Sequence, residues 1–464
     1  MNAATVLHSD GAYAAGPAAR SKHDHPPLTT LYWGLLAIVS AAYLVLAIGW
    51  NRATPPFDNP DEPAQWNYVR AVADTGSLPV LRVGDDPAQL LDRLRSAHFP
   101  AGESIDTIRY ESHQPPLYYV TAAIVYKLTA RLALKQHVEA VRLLSTIFGL
   151  LTILASWRLA RLLLPAEPAL ALATASFVAF VPMHVNMTAA VENDALSNLL
   201  LTVSVLGLLL WLQRGYAWRG ALFLGLVMGL ALLTKVTALV VLPLALLAAW
   251  LRYQRAGTDS RHAHPFGALL VAYSGTLLVW GWWVIRNVVT YGWHDPLALD
   301  INRLVVPQPL TGPLTVAVAR RFITISFDSF WAQFGWMGIP VPRVYPILTL
   351  LSILAAAGLV VALVRALRTP SAVAIGRAKA GEYLLVLSWP VLVFASDVQY
   401  NLTFIQAQGR YLFPAIGGIG LFFMLGLSRL AGPRLSTVTI ASLSVLLALL
   451  SAVLLKTVVV PAWQ

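Results

Sequence analysis

Six short stretches carry the residues whose types and spacing can do chemistry. Asp61 and Glu62 stand in Asn59-Pro60-Asp61-Glu62-Pro63, eleven residues past the end of the first long apolar run. His113 and Gln114 precede Pro115-Pro116-Leu117-Tyr118-Tyr119, and Glu192-Asn193-Asp194 separates two apolar runs. Lys235 lies inside Leu232-Leu233-Thr234-Lys235-Val236-Thr237, Arg286 is followed by Asn287, and Arg410 falls in Gln408-Gly409-Arg410-Tyr411-Leu412-Phe413-Pro414.

A carboxylate beside a bilayer acts as a general base when a hydroxyl comes within hydrogen-bond reach. Asp61 also suits the N-cap of a helix with Pro63 in its first turn, and the two roles are compatible. Asp194 likewise suits an N-cap, and Arg286 suits a stop-anchor at the end of a span. A lysine among apolar residues is costly unless it snorkels or meets an anion, so Lys235 points to an anionic partner. Arginine matches phosphate bidentately, and Gly409 lets backbone approach closely beside Arg410. The two prolines after Gln114 fix a turn into a helix, and Tyr118 and Tyr119 fit an aromatic belt. His113 and Gln114 are placed to hydrogen-bond a head group. Together the acids (Asp61, Glu62, Asp194) and cations (Lys235, Arg286, Arg410) suit an anionic lipid head group beside an acid that activates a nucleophile.

Other chemistries find no support. There are no cysteines, which excludes thiol catalysis and thiolate metal sites. The chain has no phosphate-cradling Gly-rich loop, no HExxH and no Gly-x-Ser-x-Gly. His, Asp and Glu show no tight ligand spacing, so no metal site is assigned and a divalent ion stays open. The net charge of +11 does not point to nucleic acid, because many basic residues close apolar runs.

The elements that must hold these residues are membrane spans. The 464 residues are 57% hydrophobic and only 12% charged, about half the charged share of a soluble domain. Several apolar runs reach the roughly 20 residues that cross a bilayer. The expected fold is all-α and polytopic, with eleven transmembrane helices over about 31–50, 140–164, 169–185, 195–212, 221–233, 236–250, 266–284, 346–364, 383–395, 411–427 and 438–458. Residues 1–28 read as a disordered cytoplasmic tail, and 29–464 as one transmembrane domain.

Orientation follows from the basic residues. If Leu117–Leu134, broken by Lys127 and Arg131, lies in the interface instead of crossing, the cytoplasmic segments hold 15 basic and 5 acidic residues. The outer segments then hold 18 basic and 17 acidic. That asymmetry places the N-terminus inside and the C-terminus outside. Two large loops, 51–139 and 290–345, become extracytoplasmic and carry interfacial helices. The first holds ten carboxylates between Asp58 and Glu111, of 22 in the chain. Chemistry at that face is remote from cytosolic nucleotide donors, which favours a donor carried in the membrane.

These stretches, with Trp283-Val284-Ile285-Arg286-Asn287 and Ser329-Phe330-Trp331-Ala332-Gln333-Phe334-Gly335-Trp336, resemble the GT-C superfamily of polyprenyl-phosphate-sugar-dependent glycosyltransferases. Protein O-mannosyltransferases and the aminoarabinose transferases of lipid A belong to it, and the closer likeness is to a bacterial branch. The resemblance implies a multi-pass protein of the cell (inner) membrane that takes a sugar from a polyprenyl phosphate. The acceptor would be a hydroxyl of a glycan, lipid or protein, with inversion at the anomeric carbon. It implies Asp61 as catalytic base with Glu62 second, and Lys235, Arg286 and Arg410 on the donor phosphate. It places His113, Gln114, Tyr118, Asn193, Asp194 and Tyr411 in the substrate site, with Trp331 and Trp336 available to stack on sugar. Some relatives carry a lysine or histidine before the Pro-Pro pair, where this chain has Gln114, a neutral amide. Two other classes stay open: a transporter or flippase of lipid-linked or anionic substrates, and a membrane scaffold.

Overall fold

The computed structural model describes residues 30–100, 102–256, 264–306, 312–368 and 370–463. The expected tail over 1–28 lies outside them. The helices in chain order are α1 Thr30–Ala53, α2 Glu62–Thr75, α3 Ala88–Ser96, α4 Leu117–Leu128, α5 Leu134–Leu163, α6 Pro168–Phe180, α7 Pro182–Thr188, α8 Asp194–Arg214 and α9 Trp218–Leu232. They continue with α10 Val241–Ala256, α11 Pro265–Tyr291, α12 Leu299–Val305, α13 Val316–Trp331, α14 Tyr345–Arg368, α15 Pro370–Asn401, α16 Ile416–Leu454 and α17 Val460–Ala462. Short 3-10 turns cover Tyr110–His113, Val236–Val240 and Gly409–Ala415. One two-residue antiparallel ladder pairs Gln333–Phe334 with Ile339–Pro340.

Eight of the described helices are long and apolar enough to cross a membrane, or nine if α6 and α7, bent by 63°, form one broken span. The bend falls at Val181-Pro182, where proline lacks the N–H that would continue the ladder. The last of the eight, Gly409–Ala462, is 54 residues long. Straight, it would run about 80 Å, far beyond the ~30 Å of hydrocarbon. Gly432, at φ 76° and ψ 171° and followed by Pro433, breaks it in two. With α9 as a short apolar helix of 15 residues, each of the eleven expected spans has a helical counterpart. Of the expected interfacial stretch, α4 keeps 12 residues, about 18 Å, too short to cross. The following span starts at Leu134, six residues earlier than the apolar run at Ala140 announces.

Small residues let the spans pack closely. A Cβ on Gly358 of α14 would come 1.8 Å from the Gly426 carbonyl oxygen of α16. The two ends of the bundle differ. At one, Arg255 meets Glu382 at 3.3 Å, Gln213 donates to Glu382 at 2.7 Å, and Arg429 pairs with Glu167. At the other lie the end of α1, the starts of α5 and α8, and the segment over 51–133, whose Trp66, Tyr68, Tyr118 and Tyr119 form a second core with Val138 and Val141 of α5. The candidate site is at this second end.

Candidate active site

The loop from Asn51 to Glu62 is fixed by one buried arginine. Arg142, in the third turn of α5, donates to the Glu62 carboxylate from Nε at 2.7 Å and Nη2 at 2.6 Å. It also donates to the carbonyls of Asn51 (2.9 Å), Thr54 (2.7 Å) and Pro55 (2.8 Å). Glu62 is fully buried and further accepts from the backbone N–H of Phe57 and of Val191, each at 2.9 Å. Both charges are thereby saturated, as a buried ion pair must be.

That clamp aims Asp61. Its backbone sits in the left-handed region at φ 65°, uncommon for a non-glycine residue. It precedes α2, yet its side chain makes no cap bond. The carboxylate turns the other way, accepts from the Tyr110 hydroxyl at 2.8 Å and pairs with Arg410. Arg410 is 3% exposed. Its Nη1 donates to Glu192 at 3.3 Å and its Nε to Gln408 at 2.7 Å. Glu192 also accepts from Gln65 Nε2 at 3.0 Å. Beside it, Lys235 Nζ donates to Asp194 at 2.5 Å. Lys235 stands in the extended break between α9 and the next turn, at φ −156° and ψ 140°.

Opposed charges set the titrations. Burial pushes the Asp61 carboxyl up, but Arg410, the Tyr110 hydroxyl and Lys235 outweigh it and hold the group below the usual carboxylate range. Glu192 is driven well above that range by burial and by neighbouring Asp194. Glu111, half-buried in the same 3-10 turn as Tyr110, is pushed to about 7 by burial and by Asp61. Burial lowers His113 to about 4, so it stays neutral and bonds the Tyr110 carbonyl through Nδ1 at 3.0 Å.

The cluster gathers Asp61, Asp194, Lys235 and Arg410 as the sequence suggests. Asn193 donates to the Tyr119 hydroxyl at 3.1 Å and keeps a buried, unpartnered Oδ1. Gln114 keeps a buried, unpartnered Oε1. Tyr411 lies under the Arg410 guanidinium at 5.4 Å and donates to Gln406. Tyr118 is buried and shares its hydroxyl with Ser145 and the Glu192 N–H, so it holds the loop before α8 in place.

Three expectations are corrected. Glu62 points away from Asp61 into the Arg142 clamp, because adjacent residues at a helix start leave in different directions. Arg286 donates to the Pro79 carbonyl at 2.6 Å and covers Trp283, so it anchors the 79–83 segment outside the cluster. Trp331 is 2% exposed and packs on Phe177, Phe330 and Phe423, with no face left for a sugar. Trp336 donates to the Phe57 carbonyl at 3.2 Å and stays half-buried beside the clamp. The sequence reading missed Arg142, Tyr110 and Glu111 as members of the site, and named Glu192 only within Glu192-Asn193-Asp194, without a role. Arg142 had a signal: a cation just inside an apolar span needs a partner. Among the described residues, no three of His, Asp and Glu converge as metal ligands.

Residues 113–282 match the family described as dolichyl-phosphate-mannose-protein mannosyltransferase. No curated protein matches the chain in sequence. Among solved structures, ArnT from Cupriavidus metallidurans bound to undecaprenyl phosphate is similar with TM-score 0.52 and 15% identity, over 93% of this chain and 74% of that one. Its apo state gives 0.51 and 16%, over 94% and 74%. The Archaeoglobus fulgidus oligosaccharyltransferase tethered with an acceptor peptide gives 0.50 and 14%, over 93% of this chain and 55% of that longer one. The family match takes in Asn193, Asp194 and Lys235, the fold match nearly the whole chain, and the protein has the GT-C membrane fold.

Proposed function

We propose that the protein is a membrane glycosyltransferase that moves a sugar from a polyprenyl-phosphate donor to an acceptor hydroxyl at the extracytoplasmic face of the cell membrane. The observation that carries this reading is a pair of cations, the buried Arg410 and the half-buried Lys235, held by Asp61, Glu192 and Asp194 where helices end. Two fixed cations suit the phosphate of a lipid donor, and they sit at the bundle end away from the Arg255, Lys379 and Arg429 region, as the positive-inside rule expects. The similar ArnT structure holds undecaprenyl phosphate, and the similar oligosaccharyltransferase carries an acceptor peptide. For this chain the acceptor would be a glycan, lipid or protein hydroxyl.

In the proposed reaction the acceptor oxygen loses its proton to Asp61 and attacks the anomeric carbon from the side opposite the phosphate. The carbon–oxygen bond to phosphate breaks, its electron pair leaves with the phosphate, and the configuration inverts. Arg410 and Lys235 receive the charge on the departing phosphate, which is where fixed cations contribute most. Transfer of radiolabelled sugar from a panel of polyprenyl-phosphate sugars tests the reading with purified wild type, Arg410→Ala and Lys235→Ala. Transfer by wild type that falls at least about a hundredfold in both variants supports it. No transfer by folded wild type with any donor, together with vesicle uptake, favours the transporter reading.

A further inference from the structure

Among the described residues, the two cations of the site are both taken. Arg410 has an ion pair with Asp61, its Nη1 donates to Glu192, and its Nε is taken by Gln408. Lys235 is held by Asp194 at 2.5 Å. A phosphodiester anion entering here must displace a carboxylate. The three candidates are not equal. Glu192 is 1% exposed and also accepts from Gln65 and the Asp194 N–H. The Asp194 side chain is 6% exposed. The Asp61 side chain is 23% exposed and sits on a loop in left-handed backbone, with one further partner, the Tyr110 hydroxyl.

We propose that Arg410 masks Asp61 in the free protein, that the donor phosphate draws Arg410 away, and that Asp61, still tethered by Tyr110, is thereby released to act as base. This rests on the glycosyl-transfer reading and adds its regulation: donor binding comes first and arms the acceptor step. The chemistry favours such an order. A carboxylate bound to a guanidinium is a weak base, and losing that partner restores its basicity. The lipid phosphate supplies the anion that Arg410 exchanges for Asp61, so the cation stays paired throughout. Tyr110 is a positioning residue. It holds one carboxylate oxygen while the other changes partner.

Undecaprenyl phosphate binding to the full-length protein in nanodiscs provides the test. Asp61→Asn keeps the shape and removes the competing charge, so it should bind undecaprenyl phosphate about tenfold tighter than wild type while transfer is lost. Tyr110→Phe should leave donor KM within about twofold and lower kcat, because the tether matters only after Arg410 has left. A readout on unmodified protein is carboxyl labelling by a water-soluble carbodiimide, read by peptide mass. Labelling of Asp61 should rise several-fold when undecaprenyl phosphate is added. Asp61→Asn binding equal to or weaker than wild type, in protein with an unchanged thermal midpoint, overturns the proposal, as does donor protection of Asp61 from labelling. Wild type that binds no undecaprenyl phosphate at all removes the glycosyl-transfer reading itself, a separate outcome.

Discussion

At the scale of single residues, charge separates what the sequence could reveal from what it could not. Lys235 and Arg410 are legible because a cation in apolar surroundings demands a counter-charge. Glu62 and Trp331 are not, because residue type does not say which way a side chain leaves the backbone. Glu62 turns into the clamp, where removing one member of a buried pair strands the other charge. Glu62→Gln should therefore cost about 3–5 kcal/mol, read as a fall in the thermal midpoint. The double variant Glu62→Gln with Arg142→Met should recover much of it, since no charge is then left unpaired. Glu111 makes a pH prediction. It faces Asp61, Lys235 and Arg410 from the Tyr110–His113 turn, with Tyr119 and Tyr400 also within electrostatic reach and Gln114 bonded to it. Its folded pKa, raised to about 7, means it is neutral below that pH and gains a negative charge as pH rises through it. A new negative charge beside the phosphate site weakens an anionic ligand. Affinity for a polyprenyl-phosphate sugar, a phosphodiester whose charge is constant over this range, should fall several-fold between pH 6 and pH 8, and Glu111→Gln should flatten that step. His113, lowered to about 4, stays neutral throughout and adds nothing to the slope.

At the scale of elements, apolar runs and the basic residues that close them were enough to give the spans. The ends were less legible. The first turns of α5 carry Lys135, His137 and Glu139, which hydropathy treats as loop, yet the helix already starts at Leu134 because its polar face closes over the 51–62 loop: Asn51 donates to the Glu139 carbonyl at 2.9 Å. The break at Gly409 is the most informative element for function. A Cβ there would stand 2.1 Å from both the Phe330 nitrogen and the Ser326 carbonyl oxygen of α13, and the Gly409 N–H donates to Ser329 Oγ at 2.7 Å. The side chain next along the chain is Arg410, so this contact sets where its guanidinium reaches. Gly409→Ala forces the turn off α13, a steric cost of about 1–3 kcal/mol. It should lower the thermal midpoint and weaken undecaprenyl phosphate binding together. Gly34→Ala on α1 is the control. Nothing lies within 4 Å of the added carbon, so both quantities should stay at their wild-type values.

At the scale of the whole molecule, the two ends of the bundle impose a direction on the chemistry. One end is stapled by Arg255, Glu382, Gln213, Arg429 and Glu167 around the ends of α5, α8 and α10. The other gathers Asp61, Glu111, Glu192 and Asp194 against two cations. A basic end is retained in the cytoplasm, and that would leave the acid-rich site facing outward. An outward site has no nucleotide sugar to draw on, so the orientation bears directly on the donor class. The chain supplies its own clean background for testing this, since it contains no cysteine. Ser77→Cys lies in the exposed bend just past α2 in the 51–133 segment, and Ala217→Cys on the exposed connection before α9 at the opposite end. In intact cells a membrane-impermeant maleimide should label Ser77→Cys and leave Ala217→Cys untouched until the membrane is opened. The reverse pattern would put Asp61 and Arg410 in contact with cytosol. The pairing of the cluster would stand, but the reason for a lipid-borne donor would go, and a soluble activated sugar or a transported anion would become the ligand to test first.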